Sequence, residues 1–205
     1  MKIVTHNLSK RFNREWIFRN FSFEFVTGKT YAIVGPNGSG KSTLLQILWG
    51  QMPPSEGSIS YQSINSIIPA TEIYQLIAIA TPYMDLIDEF TLEEMVQFHI
   101  GFKPTRNMKS VEEVIEQMGL QHARKKMISN FSSGMRQRLK LGLAFSTQAD
   151  ILFLDEPTSN LDKKSIDWYW DTLTPLLANT LVIIASNQET EYPATAEKID
   201  ILKYK

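Results

Sequence analysis

The chain opens with apolar and polar residues in alternation. Residues 3–8 predict one strand and residues 21–26 another, with Phe21, Phe23 and Phe25 on one face. A period of two predicts strands with one buried side. Thr27-Gly28-Lys29 predicts a turn into a third strand over 31–34, residues 52–57 a loop around Pro53 and Pro54, and short strand-like pieces follow up to Ala80. From about Thr91 to Ser146 the period lengthens. Leu92, Met95, Val96, His99 and Ile100 fall at helical spacing, and Thr91 with Glu94 forms the pattern of a capping box. Residues 111–118 and 135–145 also predict helices. Residues 151–154 and 181–185 are continuous apolar runs, as in strands of a parallel sheet buried on both faces. Between them 165–177 reads as a helix that Pro175 should end or kink, and 199–202 reads as a last strand. Strands alternating with helices predict a parallel α/β core.

One segment carries chemistry. Gly35-Pro36-Asn37-Gly38-Ser39-Gly40-Lys41-Ser42-Thr43 joins a predicted strand to a predicted helix and satisfies the G-x-x-x-x-G-K-[ST] pattern of a P-loop. Three glycines allow the tight turn that gathers backbone N–H groups on a polyphosphate at a helix N-terminus. Lys41 is placed for the β- and γ-phosphates and the Ser42 hydroxyl for Mg²⁺. A nucleoside triphosphate is the predicted ligand. A second acidic site closes the apolar run 151–154: Asp155 is placed to hold Mg²⁺ opposite Ser42, and Glu156 to polarise an attacking water.

Composition narrows the classes of partner. With 205 residues, 21 basic against 22 acidic side chains and a net charge of −1, there is no electrostatic argument for nucleic acid. The chain has no cysteine, which removes disulfides and thiolate metal sites. His6, His99 and His122 are scattered, without metal-ligand spacing. Trp168, Tyr169 and Trp170 predict a helix packed on the sheet. The N-terminus lacks the apolar stretch of a secretory signal, and every apolar run is too short to span a bilayer.

Ser132-Ser133-Gly134-Met135-Arg136-Gln137-Arg138 ahead of Asp155, and Ser159-Asn160-Leu161-Asp162 after Pro157, complete a series of four motifs that resembles an ATP-binding-cassette (ABC) transporter ATPase over almost the whole chain. The resemblance implies an α/β P-loop NTPase core with a mostly parallel sheet, an N-terminal antiparallel β subdomain and an inserted helical subdomain at about residues 85–146. All of this falls in one ATP-binding domain over 1–205, without a C-terminal regulatory domain. It implies ATP and Mg²⁺ as ligands, and a second cassette subunit, identical or different, meeting this one head to tail. Ser132 and Gly134 would then cap the γ-phosphate held by the partner's P-loop, and Asp162 would lie at the dimer interface. Phe12 matches the adenine-stacking aromatic, with Trp16 as rival. Separate membrane-spanning permease subunits are implied, with this subunit cytoplasmic and peripheral on the inner face of the membrane. The docking surface is expected around residues 82–101, where Tyr83, Met84, Leu86, Ile87 and Phe90 offer an apolar patch or pack within the subdomain. The alternative is a soluble cassette ATPase acting as an assembly or regulatory factor.

Three motifs depart from the family pattern. The signature is usually L-S-G-G-Q. Ser133 here replaces a glycine, with a cost of order 1 kcal/mol if that backbone needs positive φ, and Met135 replaces the glutamine. The glutamine that touches Mg²⁺ and the attacking water falls near Thr81 or Pro82, and proline offers only a carbonyl. The usual histidine after the last buried strand is Asn187, whose amide donates a hydrogen bond but carries no charge. Nucleotide binding with slow hydrolysis is the expectation.

Overall fold

The computed structural model describes residues 1–63 and 66–205. Two long strands, β1 (Lys2–Phe12) and β2 (Glu15–Val26), form an antiparallel hairpin that extends well beyond the alternating segments. The alternation lapses because the register shifts three times between Thr5 and Arg11, close to where Asn7 (φ 47°) and Asn20 (φ 54°) adopt left-handed backbone. Asparagine tolerates that conformation, so the ladder survives its irregularities.

A turn at Gly28 leads into β3 (Thr30–Val34), and α1 (Lys41–Leu48) follows the glycine-rich loop. Next come β4 (Glu56–Gln62) and β5 (Ile67–Ile68), which complete a four-stranded antiparallel sheet in the order β2-β1-β4-β5. Strand β4 therefore begins inside the stretch expected to be loop. Gly57 explains this: its φ is 82°, and a Cβ there would lie 2.4 Å from the Asn7 carbonyl oxygen. Only glycine lets β4 close against the irregular centre of β1.

The rest of the chain builds β6 (Ile77–Ala80), α2 (Leu92–Phe102), α3 (Val111–Met118), α4 (Ser133–Ser146), β7 (Ile151–Asp155), α5 (Lys163–Leu173), β8 (Leu181–Ala185) and β9 (Glu197–Asp200). Five strands form a parallel sheet in the order β6-β7-β8-β3-β9. Strands β7 and β8 are buried at every residue, as their unbroken apolar sequences require. Ile151, Phe153 and Ile183 pack with α1 and the aromatic residues of β2, while Leu152, Leu154 and Ile184 pack with Phe145, Tyr169 and Leu173 of α4 and α5. Together these form an α/β architecture with helices on both faces of the parallel sheet.

Helices α2, α3 and α4 share a separate apolar cluster that includes Leu92, Val96, Val114, Met118, Leu139 and Leu143. Thr91 and Glu94 form the expected capping box, and Ser110 with Glu113 forms a second. Helix α5 stops at Leu173, four residues short of the expected end, and a 3₁₀ turn over Thr174–Leu176 carries Pro175, which has no N–H to continue the ladder. The last strand also ends early: the Asp200 side chain accepts the Leu202 N–H at 3.0 Å and turns Ile201–Tyr204 into a 3₁₀ helix. Among the described residues no helix is long and apolar enough to cross a membrane.

Gly57→Ala combines a left-handed φ with a backbone clash, so it should destabilise the fold by on the order of 2 kcal/mol. A lowered urea midpoint with an unchanged slope would show it; an unchanged midpoint would mean the bulge is not constrained.

Candidate functional site

The carboxyl ends of β3, β7 and β8, neighbours in the sheet, build the site. After β3 the chain turns through Gly35 (φ 150°), Gly38 (φ 75°) and Gly40 (φ 102°). A Cβ at Gly35 would come within 2.8 Å of Ile201 and Ser39, and one at Gly40 within 2.4 Å of Ile17. Both glycines are therefore set by close contact as well as by φ. Pro36, Asn37 and Gly38 form the exposed crest of the loop. Gly40 caps α1 without any side-chain hydrogen bond, so the first-turn N–H groups, from Lys41, Ser42 and Thr43, receive no side-chain acceptor. That is the arrangement an anion completes.

Lys41 is buried and donates to the carbonyls of Gly35 (2.9 Å) and Pro36 (3.2 Å), which holds its ammonium against the loop. The Ser39 hydroxyl oxygen is buried without a partner. Asp155 ends β7 at 2% exposure, and its Oδ1 is likewise buried and unpartnered. Desolvation pushes the Asp155 carboxyl up to about 6. The Ser42 hydroxyl and Lys41 pull against this, and Glu156 and Glu191 add to it. A lone buried carboxylate oxygen beside a serine hydroxyl fits a hard divalent cation. Among the described residues no cluster of three or more acidic, histidine or cysteine side chains could hold a metal alone. The donor set therefore suits Mg²⁺, which takes one or two protein oxygens and completes its shell with phosphate and water.

Glu156 follows with φ 44°, a costly conformation for a residue with a side chain, and its N–H donates to the Ala185 carbonyl at 2.9 Å. Asn187, two residues past Ala185, donates from Nδ2 to the Asn37 Oδ1 at 3.0 Å. The structure thus brings the P-loop, Asp155, Glu156 and Asn187 to one place. Phe12 ends β1 with its ring 45% exposed, and the Lys10 ammonium lies 5.2 Å from the ring centroid. Its hairpin reaches the P-loop through Ile17 at Gly40. Trp16 carries the guanidinium groups of Arg19 (4.7 Å) and Arg11 (5.4 Å) over its ring, which leaves Phe12 as the freer stacking surface.

Ser132 and Gly134 stand apart from that cluster. They line a cleft of ≈ 640 Å³ with Asn160, Asp162 and Ser165 that includes no P-loop residue. Ser132 caps α4 by accepting the Met135 N–H at 3.2 Å. The condition for strain at Ser133 is not met: it lies in the first turn of α4 and has no positive φ, so the exchange of glycine for serine carries no backbone strain. The close contact is at Gly134, where a Cβ would meet the Asn160 carbonyl at 3.0 Å. Of the apolar patch, Tyr83 is 78% exposed, whereas Leu86, Ile87 and Phe90 pack against the cluster of α2 to α4.

Two residues here gave no signal in the sequence. Lys140 is buried on α4 and donates to the carbonyls of Pro82 (2.7 Å) and Thr81 (3.3 Å), so the segment lacking the glutamine is tied to α4. Glu191 is buried completely and accepts the N–H (2.9 Å) and O–H (2.6 Å) of Thr158 and the O–H of Ser186. Lys140 and Glu191 belong to no motif, and nothing in the local sequence marks either.

The profile of the ABC transporter family matches residues 18–159. The chain is 29% identical over 204 residues to the uncharacterized ABC transporter ATP-binding protein YcbN of Bacillus subtilis, covering 98% of this chain and 66% of that protein. It is 28% identical over 206 residues to the daunorubicin/doxorubicin resistance ATP-binding protein DrrA of Streptomyces peucetius, covering 98% and 62%. The chain thus spans about two thirds of the length of these curated relatives. Among solved structures, a Pyrococcus furiosus chain described as an ABC transporter ATP-binding protein shares the fold at a TM-score of 0.82 and 20% identity, covering 100% of this chain and 99% of that one. The dimeric bacterial ABC transporter cassette MJ0796 follows at 0.77 and 23%, covering 91% and 88%.

The raised Asp155 carboxyl sets a pH dependence. Its folded value of about 6 lies above the ordinary 3.8, so the proton is held more tightly in the native state. The ligand-free fold therefore loses stability from this group as pH rises between those values, by on the order of 3 kcal/mol, and the loss is complete above them. Asp155→Asn should raise the melting temperature by several degrees at pH 7.5. The gap should shrink at pH 4.5. Thermal melts without nucleotide at both pH values check this; a gap independent of pH would contradict it.

Proposed function

The chain belongs to the ABC transporter family of ATP-binding proteins, and from that footing we propose that it is the ATP-hydrolysing subunit of an ABC transporter. In this reading it closes with a second cassette around MgATP and drives separate membrane-spanning permease subunits. One observation carries the proposal: the uncapped start of α1, the loop-bound Lys41 and the unpartnered Asp155 oxygen lie together at the carboxyl ends of β3 and β7, which flank β8. Each is a group whose natural partner is a piece of a metal–triphosphate complex.

The residues divide the work as follows. Lys41 exchanges the Gly35 and Pro36 carbonyls for the β- and γ-phosphates, and the N–H groups from Gly38 to Thr43 cradle the phosphate oxygens. Ser42 and Asp155 would hold Mg²⁺, which when bound would supply positive charge against the phosphates. Glu156, next to Asp155 at the end of β7, takes the proton of the attacking water. Asn187 leaves Asn37 to donate to the γ-phosphate, as a neutral group where a charged one would stabilise the transition state more. Phe12 stacks on the adenine.

Ser132 and Gly134 act on the other subunit. Their end of α4 is exposed and capped only by Ser132, and it offers N–H groups and a positive helix end to the nucleotide of the partner. Because Ser133 is unstrained there, this capping is retained, and the deficit falls on hydrolysis. Pro82 brings only a carbonyl, and Lys140 already holds it together with the Thr81 carbonyl. Tyr83, exposed on the same loop, marks the side on which the permease subunit docks.

Lys41→Ala should weaken MgATP binding by about a hundredfold, two charge-assisted contacts being lost; titration with a fluorescent ATP analogue measures this, and unchanged affinity would sink the assignment of the pocket. Glu156→Gln should keep nucleotide affinity and accumulate an ATP-bound dimer on size-exclusion chromatography, whereas unaltered hydrolysis would remove Glu156 from the mechanism. Asn187→His should accelerate single-turnover hydrolysis by roughly tenfold, and no acceleration would show that Asn187 is not the limiting substitution.

A further inference from the structure

Glu191 lies in the 3₁₀ turn Glu189–Glu191 that follows Asn187, and it is 0% exposed. Among the described residues it has no ion-pair partner. A buried carboxylate without a cation is costly unless hydrogen-bond donors replace the lost water. Here three converge. One oxygen accepts both the N–H and the O–H of Thr158, at 2.9 and 2.6 Å. The other accepts the Ser186 O–H. The Glu191 carbonyl in turn accepts the Tyr169 phenol at 2.7 Å, which ties the turn to α5.

The addresses of those donors matter. Thr158 lies two residues after Glu156, and Ser186 lies one residue before Asn187. The carboxylate therefore bridges the two turns that carry the water-polarising group and the γ-phosphate donor. A second tie, the Glu156 N–H on the Ala185 carbonyl at 2.9 Å, joins the same turns on the sheet side. Left-handed backbone at Glu156 (φ 44°) persists only where its surroundings over-determine it, and these two ties do so. Chemistry also selects the residue type. Three donors meet in one place, and a carboxylate, which accepts at both oxygens and donates nothing, answers all three at once. Glutamine would set an amide N–H₂ against one donor. Ser186 can relieve part of that conflict by turning its hydroxyl to the Gln188 carbonyl, 3.2 Å away.

We propose that Glu191 is a positioning residue, a buried clamp that fixes Glu156 and Asn187 relative to each other and so sets the rate of hydrolysis without contacting nucleotide. The proposal rests on the nucleotide reading above. The full chain is assayed for binding of a fluorescent ATP analogue and for single-turnover hydrolysis, as wild type, Glu191→Ala, Glu191→Gln, Asn187→Ala and Asn187→Ala/Glu191→Ala. Glu191→Ala should lower the hydrolysis rate by about tenfold or more while affinity for the analogue stays within about threefold. Glu191→Gln should fall between wild type and alanine. The double variant should be no slower than the slower single variant, because both changes remove one arrangement.

A folded Glu191→Ala chain that hydrolyses at the wild-type rate overturns the clamp. So does a double variant in which the two losses multiply, or an affinity that falls in step with the rate, the mark of a merely structural role. If Glu191→Ala does not melt cooperatively, Glu191→Gln decides: a loss of about threefold or more at unchanged affinity supports the clamp, and the wild-type rate overturns it. A wild-type chain that binds no MgATP analogue sinks the reading of the pocket itself, and the clamp with it.

Discussion

The structure turns on one unsatisfied atom, the buried Oδ1 of Asp155 at the tip of β7. A carboxylate at 2% exposure without a full set of donors works against the ligand-free fold. The fold can hold it there because β7 is buried along its whole length between two helical layers and paired on both edges, to β6 and β8. Four apolar residues, Ile151 to Leu154, anchor the strand from both faces, so its last residue has no freedom to reach water. The same order of strands places the glycine-rich loop after β3 and Asn187 after β8 around that tip. The site is a debt the sheet enforces, and it is settled by whatever brings positive charge and phosphate to it.

Much of this was legible in the sequence because local rules and tertiary packing agree. The P-loop glycines are required by φ and by contact at once: Gly35 against Ile201 and Gly40 against Ile17. The capping box at Thr91 and the cap at Ser132 are local hydrogen bonds that three or four residues suffice to specify. Burial of 151–154 and 181–185 follows from unbroken apolar runs. Where the reading failed, long-range contact decided. Strand β4 starts at Glu56 because Gly57 faces Asn7, fifty positions away in sequence, and no local pattern reports that contact. Whether Ser133 would be strained depended on a backbone angle that the motif leaves open; the backbone there is helical and the tight position is its neighbour Gly134. Glu191 and Lys140 are invisible for a related reason: each answers backbone or hydroxyl groups from distant loops, and neither belongs to a motif.

Helix α4 shows how those distant contacts combine. Its first residue is capped by Ser132 at the exposed cleft. One turn on, Gln137 donates to the Pro157 carbonyl at 2.8 Å, next to Glu156. Close to another turn further, Lys140 holds the carbonyls of Thr81 and Pro82. All three contacts lie on one rigid element whose far half is packed in the core by Leu141, Ala144 and Phe145. Displacement of the Ser132 end must therefore be shared by the turn that carries Glu156 and by the loop that exposes Tyr83, because a packed helix moves as a body and its interior does not stretch. The Lys140 tether thus gives the loop at Pro82 a mechanical link to α4.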